Sequence, residues 1–212
     1  MFFLSCLSDG FTTGLLNCAL PTIPSSEHDQ AGADGVSVID YYTTSDQPRP
    51  IRFVIEDCLA ASNSFQTVLS VSNRDSSGLS VEVSDVRFTN NNAAAINVVS
   101  VPSARIGSSL QVRDCTFRRS VAPFLVFSDL DDISVTQSNF DENLMISDEN
   151  SAAGFASTVL AFSRRLSVRD CIFSHTRGDA AGSAIGALNV DDVDISHSRF
   201  EENGTSNLCI TC

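Results

Sequence analysis

An eight-residue pattern that returns through most of the chain is the strongest constraint on its fold. Leu110-Gln-Val-Arg-Asp-Cys-Thr-Phe117 reappears as Leu166-Ser-Val-Arg-Asp-Cys-Ile-Phe173. Weaker copies begin at Phe53 (FVIEDCLA), Val81 (VEVSDVRF), Ile133 (ISVTQSNF) and Val193 (VDISHSRF). Successive copies start 28, 29, 23, 33 and 27 residues apart. Self-similarity at this spacing marks a chain that stacks one small unit on the next.

The internal pattern of each copy says what the unit is. Positions one and three are apolar and alternate with polar residues, the two-residue period of a strand. Positions six and eight are also of inward type: Cys58, Val86, Cys115, Ser138, Cys171 and Ser198, then Ala60, Phe88, Phe117, Phe140, Phe173 and Phe200. The inward parity therefore changes between positions three and six, which a strand achieves only by bending. Position five reads Asp57, Asp85, Asp114, Gln137, Asp170 and His197. Asp tolerates left-handed backbone and bonds nearby amides, so a tight turn is expected there. A further strand is expected after five of the copies, at Thr67–Ser72, Ala95–Ser100, Phe124–Ser128, Thr158–Ser163 and Ala184–Asn189. Three strands per repeat, two of them short, is the layout of a right-handed parallel β-helix. The expectation is an all-β solenoid of about six coils.

In such a stack, neighbouring copies lie about 4.8 Å apart. The Phe residues at position eight would form a column, each ring contributing roughly 1.5–3 kcal/mol by burial. Position eleven is Asn63, Asn91, Asn143 and Asn203, with Ser120 and Thr176 in the other two copies. An Asn amide there can both donate and accept between coils.

The β-helix is expected over residues 51–212, with residues 1–50 a partial N-terminal coil or cap with a loop. Met1-Phe-Phe-Leu-Ser-Cys-Leu7 has no basic residue before it and is interrupted by Asp9 and Gly10, so it is a poor signal peptide. It resembles the internal strand Val68-Leu-Ser-Val-Ser72, as if the chain began in mid-coil. Pro21 to Asp34 reads as a loop, and Val36-Ser-Val-Ile-Asp-Tyr41 resembles a coil start. Asn143–Gly154 and Thr176–Gly182 read as exposed excursions. Leu208-Cys-Ile-Thr-Cys212 looks like the strand that should follow Asn203, with no polar cap after it. An uncapped end implies a truncated C-terminus within a longer protein, or self-association through the coil end.

Charge narrows the partners. The formal net charge is −13, spread along the chain. Such a surface repels nucleic acid and anionic lipid, and it suits divalent cations, basic partners or plain solubility. No apolar run has the length of a membrane-spanning helix.

Phe88-Thr-Asn-Asn91, Phe140-Asp-Glu-Asn143 and Phe200-Glu-Glu-Asn203 fit an F-x-x-N pattern. Gly182-Ser-Ala-Ile185 and Ala93-Ala-Ala-Ile96 are degraded forms of G-G-A-[ILV]. Together they resemble the repeats of the chlamydial polymorphic outer-membrane proteins and, more broadly, the pectate-lyase-like group of β-helices. The resemblance implies a secreted or surface-exposed stalk with adhesive roles, in contact with carbohydrate or protein at a cell surface. It carries over no catalytic residue, and no β-barrel translocator is present in the sequence. Fold alone does not settle function.

No set of residues specifies chemistry. The carboxylates of position five could hold Ca²⁺, as pectate lyases do, but calcium wants six to eight oxygens at one point and this column offers few. No cofactor is therefore expected. The pairs Asp131-Asp132, Arg164-Arg165 and Asp191-Asp192 precede the last three copies. Stacked, they would form an ion-pair ladder fixing register between coils, or else a cleft gripping an acidic sugar. Glycoside hydrolysis needs two carboxylates about 5–10 Å apart. Asp141 with Glu142 and Glu201 with Glu202 are sequence neighbours, so their side chains are expected to diverge. Arg113 and Arg169, both at position four, are expected to point outward. Cys58, Cys115 and Cys171 occupy alternate copies, about 9–10 Å apart, too far for a disulfide. They read as small buried hydrophobes. Cys209-Ile-Thr-Cys212 is a lone C-x-x-C, and His28, His175 and His197 fall in no triad. Asn203-Gly-Thr205 fits a glycosylation acceptor whose Asn the repeat already explains. The sequence thus favours a non-catalytic surface module, with a polysaccharide lyase or hydrolase acting on acidic glycans as the alternative.

Overall fold

The computed structural model describes residues 4–5, 13–16, 37–42, 51–61, 67–73, 78–90, 94–100, 107–122, 125–145, 157–178, 183–204 and 206–211. These residues form parallel strands in three sheets and contain no helix. Every strand pair is parallel and joins one copy of the repeat, or the segment after it, to the next.

The octapeptides stack position on position. Phe53 pairs with Val81, Val81 with Leu110, Leu110 with Ile133, Ile133 with Leu166 and Leu166 with Val193. All six are position one. Position eight does the same in a six-stranded sheet, from Ala60 through Phe88, Phe117, Phe140 and Phe173 to Phe200. Between these sheets lies the bend. Asp57, Asp85, Asp114, Gln137, Asp170 and His197 all have φ between 50 and 54°. The position-five amides of the first five copies donate to position-four carbonyls of the next, as Asp114 does to Thr136 at 3.2 Å. The parity switch in the sequence is thus a single left-handed residue per copy.

The inward columns make the core. Leu110, Val112, Cys115 and Phe117 are at most 2% exposed, and their equivalents in the neighbouring copies are similarly buried. Rings of Phe88, Phe117, Phe140, Phe173 and Phe200 stack at centroid separations of 4.6–5.1 Å and interplanar angles of 1–7°. Strand spacing sets that separation, since each ring stands over the same position one copy away.

Cys and Ser are interchangeable at position six for a specific reason. Cys58, Cys115 and Cys171 turn their thiols to the carbonyl two residues earlier, at 3.2–3.3 Å. Ser138 and Ser198 donate to the same carbonyl, at 2.8 and 3.0 Å. Their hydroxyls also accept from the amides of Cys115 and Cys171 in the copy before. Burial pushes the Cys115 thiol up to about 12 and the Cys171 thiol up to about 11. The thiols of Cys58, Cys115 and Cys171 are all buried.

At position eleven, Asn143 and Asn203 bond to the copy before. Asn143 Nδ2 donates to the Phe117 carbonyl at 2.9 Å, and its Oδ1 accepts from the Ser120 amide at 3.2 Å. Asn203 repeats both bonds, to Phe173 at 3.1 Å and from Thr176 at 3.0 Å. Thr176 breaks the series: its Oγ1 is buried with no partner.

Several expectations need correction. Val36–Tyr41, expected to resemble a coil start, falls largely in the strand Ser37–Tyr42, which pairs with Leu4–Ser5 and with Thr67–Asn73 and so belongs with the strands that follow a copy. The strand stacked on the first copy is Thr13–Leu16, with Gly14 opposite Phe53. The apolar alternation of 37–42 is common to both strand types, and only pairing separates them. Asn143 and Thr176, expected in exposed excursions, are buried at 1% and 0% exposure. Leu144–Met145 and Arg177–Gly178 then form a small third sheet with Val121–Ala122. The segments after them lie outside the described residues, as do the loop at Pro21–Asp34, His28, Cys6, Cys18 and Cys212. Finally, Leu125–Thr136 and Ser157–Arg169 are each one long strand. The strand after one copy runs on into the first strand of the next, with a register shift near Ser128 and Leu130.

Candidate functional site

Outside the core, the copies present charged residues at the same positions, and these assemble into two ridges. The first is the sequence-predicted one. Asp132 pairs in register with Arg165, and Arg165 with Asp192. Arg164 reaches Asp131 at 3.4 Å, and Arg165 forms two hydrogen bonds with Asp132. Both guanidinium groups lean toward the earlier aspartates. The bonds to Asp132 raise the Arg165 pKa, and Asp192 adds only its charge. Both arginines are at least half exposed, so water and salt screen each contact and it contributes little alone.

The second ridge was not foreseen. It runs along positions nine and ten: Arg118-Arg119, Asp141-Glu142, Ser174-His175 and Glu201-Glu202 in the last four copies. Position ten is a second left-handed corner, with φ of 49–54° at Asn90, Arg119, Glu142, His175 and Glu202. That corner overturns the expected divergence of Asp141 and Glu142. A left-handed residue ends the strand alternation, so both carboxylates meet one guanidinium, Arg118, at 3.2 and 3.1 Å. Arg119 also holds Glu142, at 2.5 Å. His175 Nδ1 lies 3.0 Å from Asp141 and Nε2 lies 3.4 Å from Glu202. Ser174 donates to Asp141 at 2.8 Å.

These contacts set the protonation states. The hydrogen bond to Asp141, with the charges of Asp141, Glu202 and Glu142, raises the His175 pKa. Desolvation pushes the Asp141 carboxyl up, but the bonds from His175 and Ser174 and the Arg118 charge outweigh it and leave it below the usual range. The bond from Arg119 lowers Glu142. The same alternation of sign that announces Arg164-Arg165 was present at positions nine and ten. It was hidden because no single residue type dominates those positions.

A hollow opens beside this ridge, lined by Arg119, Glu142, Asn143, Leu144, His175 and Arg177. Leu144 is 44% exposed and pairs in register with Arg177. Eight of the other nine described arginines contact a carboxylate, Arg52 with Glu82, Arg113 with Asp114 and Arg169 with Asp194 among them, and Arg87 contacts none among the described residues. Arg177 has no carboxylate partner among the described residues.

Arg113 and Arg169 are exposed, as expected of outward residues at position four. Among the described residues, no three or more His, Cys, Asp or Glu side chains are grouped to hold a metal ion. Nor is any helix there long and apolar enough to cross a membrane. No protein-family model, curated protein or solved structure matches the chain.

Proposed function

We propose that residues 51–212 are a segment of a right-handed parallel β-helix of about six coils, serving as a non-catalytic stalk or adhesive module of a secreted or cell-surface protein. The observation that carries this reading is the unbroken register of six octapeptides, position one on position one and position eight on position eight. Stacking of this kind extends a rigid surface outward one unit at a time. The exposed charges support the same reading. Arg118, Arg119, Arg164, Arg165 and Arg169 bind carboxylates of the following or preceding copy, which ties units together.

The test has two arms. Purified protein is immobilised and challenged with cells and with a panel of neutral and acidic glycans; retention is expected. The same protein is incubated with polygalacturonate and alginate, with and without Ca²⁺, and product is followed by ultraviolet absorbance and reducing ends. Turnover in the second arm would replace the adhesive reading with a lyase or hydrolase.

A further inference from the structure

The sequence holds a single Asn-Gly pair, Asn203-Gly204, at the close of the sixth copy. An asparagine before glycine is open to one reaction above others. The glycine's backbone nitrogen attacks the asparagine Cγ, and no Cβ on the glycine hinders the approach. The new C–N bond closes a five-membered imide while the Cγ–Nδ2 bond breaks, and Nδ2 leaves as ammonia. Water then opens the imide to aspartate, or to isoaspartate with the main chain rerouted through the side chain. Solvent water is the only co-reactant.

The fold holds every group that would react. Asn203 Nδ2 donates to the Phe173 carbonyl at 3.1 Å, and its Oδ1 accepts from the Thr176 amide at 3.0 Å. The attacking group, the Gly204 amide, donates to the Thr176 carbonyl at 2.8 Å. All three partners lie in the fifth copy and the segment that closes it, so a single docking contact restrains leaving group, carbonyl and nucleophile together. That dock is looser than the one beneath it. Val193, Ile195 and Phe200 are only partly buried, whereas Leu166, Val168 and Phe173 at the same positions are at most 1% exposed. Local opening falls on segments with fewer buried apolar contacts.

We propose that Asn203 is a deamidation site gated by the sixth copy: opening of that copy lets Gly204 convert Asn203, and the conversion makes the opening permanent. Neither product can remake the dock. Aspartate sets a carboxylate oxygen against the Phe173 carbonyl, where a donor stood. Isoaspartate lengthens the main chain by one methylene just before Ser206–Thr211, which pairs in register with Ser183–Leu188. Asn143 makes the same two side-chain bonds but precedes Leu144, which makes it the internal control.

The experiment holds the full chain in mildly alkaline buffer, with and without denaturing urea. Conversion at Asn203 and Asn143 is followed by peptide mass mapping, with isoaspartate identified by fragmentation. Asn203 should convert at least about tenfold more slowly in the native chain than in urea, the floor set by three ordinary hydrogen bonds, and Asn143 should lag in both. Phe200→Ala, or Ile195→Val as a gentler variant of the same copy, should speed conversion in native buffer; Val83→Ala, in the second copy, should not. Equal rates in buffer and urea would overturn the lock. Equal acceleration by Val83→Ala, or none by either sixth-copy variant, would overturn the gating. Asn203→Asp should lose hydrogen-exchange protection over residues 193–201, and native-like protection there would overturn the permanence.

Discussion

Thr176 is the one described member of the position-eleven column that leaves a buried polar atom without a partner. Replacing it with Asn should stabilise the protein. The Asn143 and Asn203 side chains show what the new amide would do. Each donates to the carbonyl of a position-eight Phe and accepts from the position-eleven amide of the copy before. For Asn at 176 the corresponding groups are the Phe140 carbonyl and the Asn143 amide. Two buried hydrogen bonds contribute about 0.5–1.5 kcal/mol each, and removing the orphaned hydroxyl relieves a similar penalty. Against this stands the loss of one buried methyl, about 0.8 kcal/mol. The net gain is about 1–3 kcal/mol, which at this chain length raises Tm by roughly 2–4 °C per kcal/mol. Urea and thermal unfolding followed by circular dichroism measure it directly. A control, Asn143→Ala, should cost about 2–4 kcal/mol, because it strands the Ser120 amide and the Phe117 carbonyl. If Thr176→Asn left the midpoint unchanged or lowered it while the spectrum stayed native, the ladder would carry no stability and the reasoning would be wrong.

Further predictions concern the other columns. Phe140→Ala should cost about 3–5 kcal/mol, since its ring is sandwiched between Phe117 and Phe173 and fully buried; a loss under 1 kcal/mol in urea melts would contradict a packed column. Arg164→Glu with Arg165→Glu should lower Tm at low salt and less so in 1 M salt, and an equal loss in both would point to packing instead of charge. The His175 pKa is raised on folding, so its contribution is complete below the unfolded value near 6.5 and is lost as pH rises through the folded value. The Tm difference between native protein and His175→Asn should therefore be larger at pH 5.5 than at pH 8.5, and a pH-independent difference would refute the pairing with Asp141 and Glu202. Cys115, with its thiol pushed up to about 12, should resist alkylation at pH 8 in native protein and label only on unfolding, as read by peptide mass mapping; rapid native labelling would contradict its burial.

The repeat was legible because its chemistry is the same in each copy. Asp at position five announces a left-handed turn, and all six residues there adopt one. Phe at position eight and Asn at position eleven likewise advertise a ring stack and an amide ladder. The second corner was not legible. Arg119, Glu142, His175 and Glu202 are poor advertisements for positive φ, yet all adopt it, and the amides of the first three are bonded to carbonyls of the next copy. The ridge built on that corner was missed with it. Ser37–Tyr42 was misplaced for the opposite reason: its alternation is clear but fits either of two strand sites, and only long-range pairing chooses. Arg177 stood in a segment read as loop, so the hollow it lines had no signature in the sequence at all.

One consequence of the stacking concerns how such a chain can change length. In the six-stranded sheet each segment bonds only to the segments one repeat before and after it. No side chain in that sheet needs a partner at the far end. Duplicating residues 166–192 in tandem would therefore set Phe173 against a second Phe173, with the same ring overlap and the same Cys–carbonyl contact. Duplication by whole repeats thus keeps the columns aligned, though it sets Asp191-Asp192 against a second acidic pair, whereas an insertion of one residue between positions one and eight would throw the later positions of that copy out of alignment.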